Sequence, residues 1–277
     1  HNCGAGTNFA KLCKIVNPSL KAQYDLEKFK EKGHLGQVTP EPITDFTPKF
    51  RKNKTILEDL FYPVEHSDEC VQYLTDRAIP KKIWPRLYYC DDSKKLEGLH
   101  NDYEDKIRGG DPRLVIPAFN RQHQLIGVTA RAIRNDGLRY ITIRIDKEQP
   151  LAFGLDRVDP TDPVYVTEGP IDSFFVDNSI AVGSADLKKL SNTIDKTKLI
   201  LVFDNQPRNK EVINIIEGAI DDGFNVVIWP ESIVFKDINE MIIKGAVAHS
   251  DLMEVLNRST YSGLSAKLQF NTWRKLR

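Results

Sequence analysis

No stretch of this sequence approaches the run of roughly 20 apolar residues that a membrane helix needs, so a helical span is excluded. Cysteine is scarce: Cys3, Cys13, Cys70 and Cys90 are too few and too scattered for a disulfide framework, which predicts a reducing, cytoplasmic setting, that of the host cell if the chain is viral. The chain begins at His1 rather than at a methionine and nothing near it has a signal-peptide pattern, so a fragment or processed chain is expected. Net charge is also missing. Thirty-nine basic residues balance 39 acidic ones, which argues against a simple nucleic-acid-coating protein. There is no internal repeat, and no convincing Ser/His/Asp or Cys/His arrangement for nucleophilic catalysis.

What is present is material for a core. Of 277 residues, 40% are hydrophobic and 28% charged, which excludes wholesale disorder and suits one large domain or two ordinary ones. The balanced charge is unevenly spread. Lys106 to Arg157 holds ten basic and five acidic residues, Val158 to Glu240 seven and fifteen, and Met241 to Arg277 six and two. An acidic block between basic ones fits a protein that holds divalent cations in one place and phosphates in another; uneven but solvated surface charge gives the same counts.

Residues 1–32 open on a glycine-bearing loop and continue into a helical pattern, and the Gly- and Pro-rich stretch Gly33 to Pro48 reads as a linker. Ile56 to Trp84 is expected to be helical, broken at Pro63, with Val71, Leu74, Ala78 and Ile79 on one face. Asp91 to Gly110 is polar and expected to be irregular. Three β-branched runs follow, Arg113 to Asn120, Leu125 to Ile133 and Arg139 to Ile145, spaced as antiparallel hairpins with arginines 113, 131, 139 and 144 on strands or at their ends. After Asp159 the texture changes. Apolar strands "VYVT", "IAVG", "LILVF" and "NVVIW" alternate with helices, which predicts a parallel sheet covered on both faces, and Ser250 to Arg277 is expected to be a helical, basic tail.

Ligands of an open parallel sheet sit beyond the carboxyl ends of its strands. Glu168 follows "VYVT", Asp204 follows "LILVF", and Asp237 lies eight residues after Trp229; Asp172, one helical turn beyond Glu168, points the same way. Carboxylates gathered there repel one another unless a cation shares them, and hard ions such as Mg²⁺ are held this way with water and phosphate. A single strand-end acid is ordinarily a cap or a surface residue; three at successive strand ends point to function. Gly169 and Pro170 suit a sharp turn into a helix whether or not chemistry follows.

These segments carry a resemblance. "VYVTEGPIDS", "LVFDNQP" and "KDINEMI" resemble, in order and spacing, the three signatures of the Toprim domain found in primases, topoisomerases and some nucleases. "PRLVIPAFNRQHQLIGVTARA", "RYITI" and "LAFGLDRV" resemble the basic half of the bacterial-type primase core, especially in its bacteriophage branch, and the likeness covers essentially the whole chain. It implies an α/β chain: an α+β basic subdomain, then a Toprim parallel sheet with helices on both faces. The divisions expected are a zinc-ribbon remnant at 1–35, a linker at 36–55, the basic subdomain at 56–163, Toprim at 164–245 and a basic helical tail at 246–277.

The implied activity is that of a DNA-directed RNA polymerase making short primers on single-stranded DNA from ribonucleoside triphosphates, alongside a replicative hexameric helicase. In such enzymes Glu168, Asp204 and Asp237 would hold Mg²⁺ or Mn²⁺ with Asp172 in support, and Arg113, Arg131 and Arg139 match basic positions of the template and nucleotide surface, where planar guanidinium groups suit phosphate. Any one of these arginines also reads as part of a solvated strand face, and Tyr140 as either a base-stacking or a core residue. Gln206 replaces the second acid of the usual Asp-x-Asp, and Asn239 stands where an acid often follows Asp237. "HNCG" resembles the end of a zinc ribbon with Cys3 as one ligand, so Zn²⁺ is expected only in a longer chain; Cys70 and Cys90 read as ordinary buried thiols. The rival readings are a Toprim nuclease or topoisomerase-like DNA-cleaving enzyme, and a non-enzymatic single-strand-binding module.

Overall fold

The computed structural model describes residues 17–32, 55–134, 137–183 and 186–275. Cys3, Cys13 and most of the expected linker lie outside the described residues. The chain divides into two compact units, His1–Lys52 and Asn53–Arg277.

In the first unit, helix α1 (Pro18–Lys32) starts with proline at its first position, where no amide donor is needed, and the Asn17 side chain accepts from the Ser19 N–H at 2.9 Å.

The second unit begins with α2 (Ile56–Leu60), opened by a Thr55/Glu58 capping box. The helix expected through Trp84 is interrupted for a longer stretch than Pro63 alone dictates. The chain extends into strand β1 (Tyr62–Pro63) and is helical again in α3 (Asp68–Asp76), where Ser67 caps the Cys70 N–H at 3.3 Å. Proline is tolerated in β1 because that strand is a sheet edge. The polar stretch after strand β2 (Tyr88–Cys90) forms 3-10 turns that bury Leu96 and Leu99.

Strands β3 (Arg113–Phe119), β4 (Leu125–Ala132) and β5 (Tyr140–Arg144) follow as the hairpin spacing predicts, and complete a five-stranded antiparallel sheet in the order β1-β2-β3-β4-β5. β3 is buried on both faces. Val115 packs with Leu57, Val128 and Ile143, whereas Leu114, Ile116 and Ala118 join the larger core of the second sheet.

That second sheet has the order β11-β10-β9-β7-β8-β6. Its four inner strands, β7 (Val164–Thr167), β8 (Ser179–Val182), β9 (Leu199–Val202) and β10 (Asn225–Val227), pair in parallel. Strands β6 (Ala152–Phe153) and β11 (Thr260–Tyr261) close the two edges antiparallel. The inner strands are almost wholly buried, as their unbroken apolar sequences require. Helices α4 (Pro170–Ser173), α5 (Leu187–Leu190), α6 (Lys210–Asp221), α7 (Ile238–Ile243), α8 (Leu252–Arg258) and α9 (Gly263–Trp273) connect and cover them. The stretch from Ser250 onward is therefore not all helix: β11 pairs Tyr261 with Val226 at the sheet edge. Among the described residues no helix is long and apolar enough to cross a membrane.

Candidate active site at the acidic edge of the parallel sheet

Because β7, β9 and β10 run in one direction, their carboxyl ends share an edge, and the chain leaves two of them through an acid. Glu168 follows β7 directly. Gly169 then makes room: a Cβ there would lie 3.0 Å from Asp172 Oδ2, so any larger residue would crowd the carboxyl group on α4. Asp204 follows Phe203 at the end of β9, and Asp237 caps α7, its Oδ1 accepting from the Glu240 N–H at 2.8 Å.

The loops that carry these acids are tied together by Asn205, a residue that no pattern in the chain singles out. It is 8% exposed and spends its whole amide group inside the protein. Nδ2 donates to the carbonyls of Ile233 and Phe235 at 2.7 and 3.2 Å, Oδ1 accepts from Trp273 Nε1 at 2.9 Å, and its N–H meets the Lys236 carbonyl at 2.6 Å. Trp229 Nε1 donates to the Phe203 carbonyl at 2.8 Å and braces the end of β9. The positions of Asp204 and Asp237 are thus set by one hydrogen-bonded frame.

The acids charge one another. Burial pushes the Asp172 carboxyl up to about 7, with Asp237 and Asp204 adding repulsion; the Asn239 N–H, at 2.9 Å, and the Arg77 charge act the other way. Glu168 sits at the rim, but packed protein withdraws enough water to raise its carboxyl too, helped by Asp204 and opposed by the Asp204 N–H and by Lys236. Asp204 is itself supported by cationic and neutral donors: Lys236 Nζ lies 3.2 Å and Gln206 Nε2 3.1 Å from its Oδ2. Gln206 therefore serves Asp204 as a donor, while its own Oε1 accepts from Asn209 Nδ2 at 3.1 Å.

Thr167, Glu168, Asp172, Asp204 and Asp237 line a recess of about 10 Å³, the size of one water or ion and far below that of a nucleotide. No three His, Cys, Asp or Glu side chains among the described residues enclose a metal unaided. An all-oxygen, open set of this kind fits Mg²⁺, which keeps several waters and takes its remaining ligands from phosphate.

Asp172 yields an expectation without any ligand. Its folded-state carboxyl titrates near 7 and its unfolded one near 3.8, so between these values the native state binds the extra proton. Stability contributed here is fully present below about pH 4 and is lost as pH rises through 7. In metal-free buffer the unfolding midpoint of wild type should fall between pH 6 and 8 more than that of Asp172→Asn; parallel curves would remove the assignment.

The arginines separate into two groups. Arg113 is 2% exposed, ion-paired with Asp111 and bonded through Nη1 to the Ala130 carbonyl at 3.2 Å. It is part of the core and presents nothing to a template. Arg131, 5% exposed, reaches the Tyr140 hydroxyl and lies over that ring at 4.9 Å; the exposed Arg139 lies 5.6 Å from the same ring. Both guanidinium groups thus lie against the Tyr140 ring. Arg144 binds Asp186 through both terminal nitrogens, at 2.8 and 3.0 Å, and so links the first sheet to the start of α5. Arg77, at the end of α3, reaches the acidic edge through Asn239. Sequence reading missed it, because an arginine ending an amphipathic helix ordinarily faces solvent.

No family model matches the sequence. Over its full length, however, the chain is 30% identical across 289 aligned residues to the DNA primase of Enterobacteria phage T4, and covers 81% of that protein. Its fold is that of solved primase cores. The Escherichia coli primase catalytic core has a TM-score of 0.55 at 16% identity, over 78% of this chain and 81% of that one. The Aquifex aeolicus primase, solved with its zinc-binding and RNA polymerase domains, gives 0.53 at 18% identity over 95% and 72%. A DnaG catalytic domain bound to single-stranded DNA gives 0.56 at 14% identity over 78% and 79%. With an acidic edge on a parallel sheet and a phage primase matched from end to end, the chain belongs to the DNA primase family.

Proposed function

We propose that this primase joins ribonucleotides on a single-stranded DNA template at the acidic edge, with Glu168, Asp204 and Asp237 holding Mg²⁺ or Mn²⁺ and Asp172 supporting them. The observation that carries this reading is the placement of those acids at one edge of the parallel sheet, with carboxyl groups whose mutual repulsion a cation would relieve. A bound Mg²⁺ supplies Lewis-acid stabilisation of the negative charge on a departing pyrophosphate and favours ionisation of a primer 3′-hydroxyl. Asp204 contributes a fixed charge, Asn205 keeps it in register with Asp237, and Lys236 offsets part of the repulsion that a triphosphate would meet.

Arg139 is the proposed contact to phosphate, and Arg131, nearly as buried as Arg113, is proposed to act through Tyr140, whose hydroxyl it holds. Arg139 is exposed and makes no ion pair among the described residues. Arg139→Ala should weaken single-stranded DNA binding and make the salt dependence shallower by about 0.7 in log–log slope, the loss expected for one phosphate contact. An unchanged slope in a fluorescence titration from 50 to 200 mM salt would return Arg139 to ordinary surface.

By the same family reading, residues 1–35 belong to a zinc ribbon with Cys3 as one Zn²⁺ ligand, and 36–55 is a linker. Residues 56–163 form the basic subdomain, 164–245 the Toprim sheet with β6 and β11 added from its neighbours, and 246–277 the basic tail. A hexameric replicative helicase is the proposed protein partner, in the cytoplasm of the host. Incubation with a single-stranded template, ribonucleotides and Mg²⁺ tests the function: labelled RNA oligomers support it, cut DNA would favour a nuclease, and binding alone would leave only a single-strand-binding module.

A further inference from the structure

Asn239 stands where an acid is usual, and one of its contacts is one that a carboxylate could not make. It is 3% exposed. Its Oδ1 accepts from Arg77 Nη1 at 2.7 Å, and its Nδ2 donates to the Arg77 carbonyl oxygen, also at 2.7 Å. Its backbone N–H donates to Asp172 Oδ1 at 2.9 Å. One residue therefore joins the last turn of α3, 162 positions away, to a carboxyl group of the acidic edge.

An amide and a carboxylate have nearly the same shape and differ here in two ways. A carboxylate has no N–H, so it would forfeit the bond to the Arg77 carbonyl and set oxygen against oxygen. It would also neutralise the guanidinium beside it. With asparagine present, Arg77 keeps its charge: its partners among the described residues are Asn239 and the Tyr73 ring, 4.9 Å from the guanidinium carbon. That charge is felt at the edge, where it favours the ionised form of Asp172.

We propose that Asn239 is a positioning residue that orients Arg77 toward the acidic edge while leaving its charge available to an anionic ligand, the phosphates of the incoming nucleotide. The inference rests on the reading that nucleotide phosphates come to this edge. The amide fixes direction and the missing charge preserves attraction, so the neutral side chain is a functional choice and not merely a lost metal ligand.

Asn239→Asp is the decisive substitution, with Asn239→Ala beside it. The aspartate variant gains an ion pair with Arg77 and loses the bond to the Arg77 carbonyl, so its thermal midpoint is read beside its affinity to confirm a folded protein. Its affinity for a fluorescent ribonucleoside triphosphate with Mg²⁺ should drop about tenfold, the scale of one charge-assisted contact, with a shallower salt dependence and a raised KM at nearly unchanged kcat. The alanine variant keeps the Arg77 charge and loses only its orientation, so its affinity should drop less. A purely structural role gives the opposite order, with alanine harmful and aspartate tolerated. In an Arg77→Ala background, Asn239→Asp should cost little further affinity. Wild-type nucleotide affinity and salt dependence in Asn239→Asp, or a larger loss in Asn239→Ala, overturns the inference. Should Asp204→Asn also remain active, the nucleotide reading itself has failed; should Asp204→Asn be dead, only the role of Asn239 has.

Discussion

Asp204→Asn should abolish primer synthesis while leaving a folded protein. The substitution keeps the shape of the side chain and removes one fixed negative charge from the end of β9. Removing a single preorganised charge-stabilising group from an active site costs on the order of a hundredfold to a thousandfold in rate, and a metal ligand belongs at the upper end of that range. The fold has little to lose. The Lys236 contact is half-exposed and contributes little, and the frame around Asn205 is built from backbone, amide and indole groups without the Asp204 carboxyl. Primer yield from labelled ribonucleotides, read beside the thermal midpoint and single-stranded DNA affinity, checks the expectation. Near-wild-type synthesis would show that Asp204 holds no catalytic ion.

Arg113→Ala should instead unfold the protein at a much lower urea concentration. The side chain is enclosed and bound to Asp111 and to the Ala130 carbonyl. The fully buried Ser93 hydroxyl has both the Asp111 carboxyl and, at 2.8 Å, the Arg108 carbonyl within reach of its single proton. Truncating one partner of a buried pair leaves an uncompensated charge and a cavity, at a cost of about 3 kcal/mol. The urea midpoint should fall with an unchanged slope. Arg113→Met, which fills the space without a charge, should lose less than alanine does. Undiminished stability together with weaker template binding would place Arg113 on the nucleic-acid surface after all.

The contrast between these residues shows where sequence stops. Glu168 and Asp204 were legible because an apolar strand leads straight into each acid, and parallel strands must end together. Asp237 was harder, with a loop between it and β10, and needed the signature pattern. The family pattern puts Arg113 on the phosphate surface and periodicity puts it on a solvated face, because a strand arginine looks exposed until both strand faces are known to be covered. The run "RLVIPAF" carries no polar alternation after its first residue, which in hindsight marks a strand buried on both sides. Asn205 carries no local signal, and the signature pattern marks Asn239 only as a missing acid, since the groups that these two satisfy come from distant loops and from α3. Strand β11 is two residues between two helices, too short for any periodicity to register.

The two-sided burial of β3 also bears on how such chains can be recombined. Its Leu114, Ile116 and Ala118 belong to the core of the parallel sheet, while Val115 belongs to that of its own sheet. The strand is a party wall, and neither room is closed without it. A graft that imports the acidic sheet from a relative must bring the matching side of β3 with it, although β3 lies well outside the imported segment in the chain. The unit of inheritance for this active site is therefore larger than the segment that carries its acids.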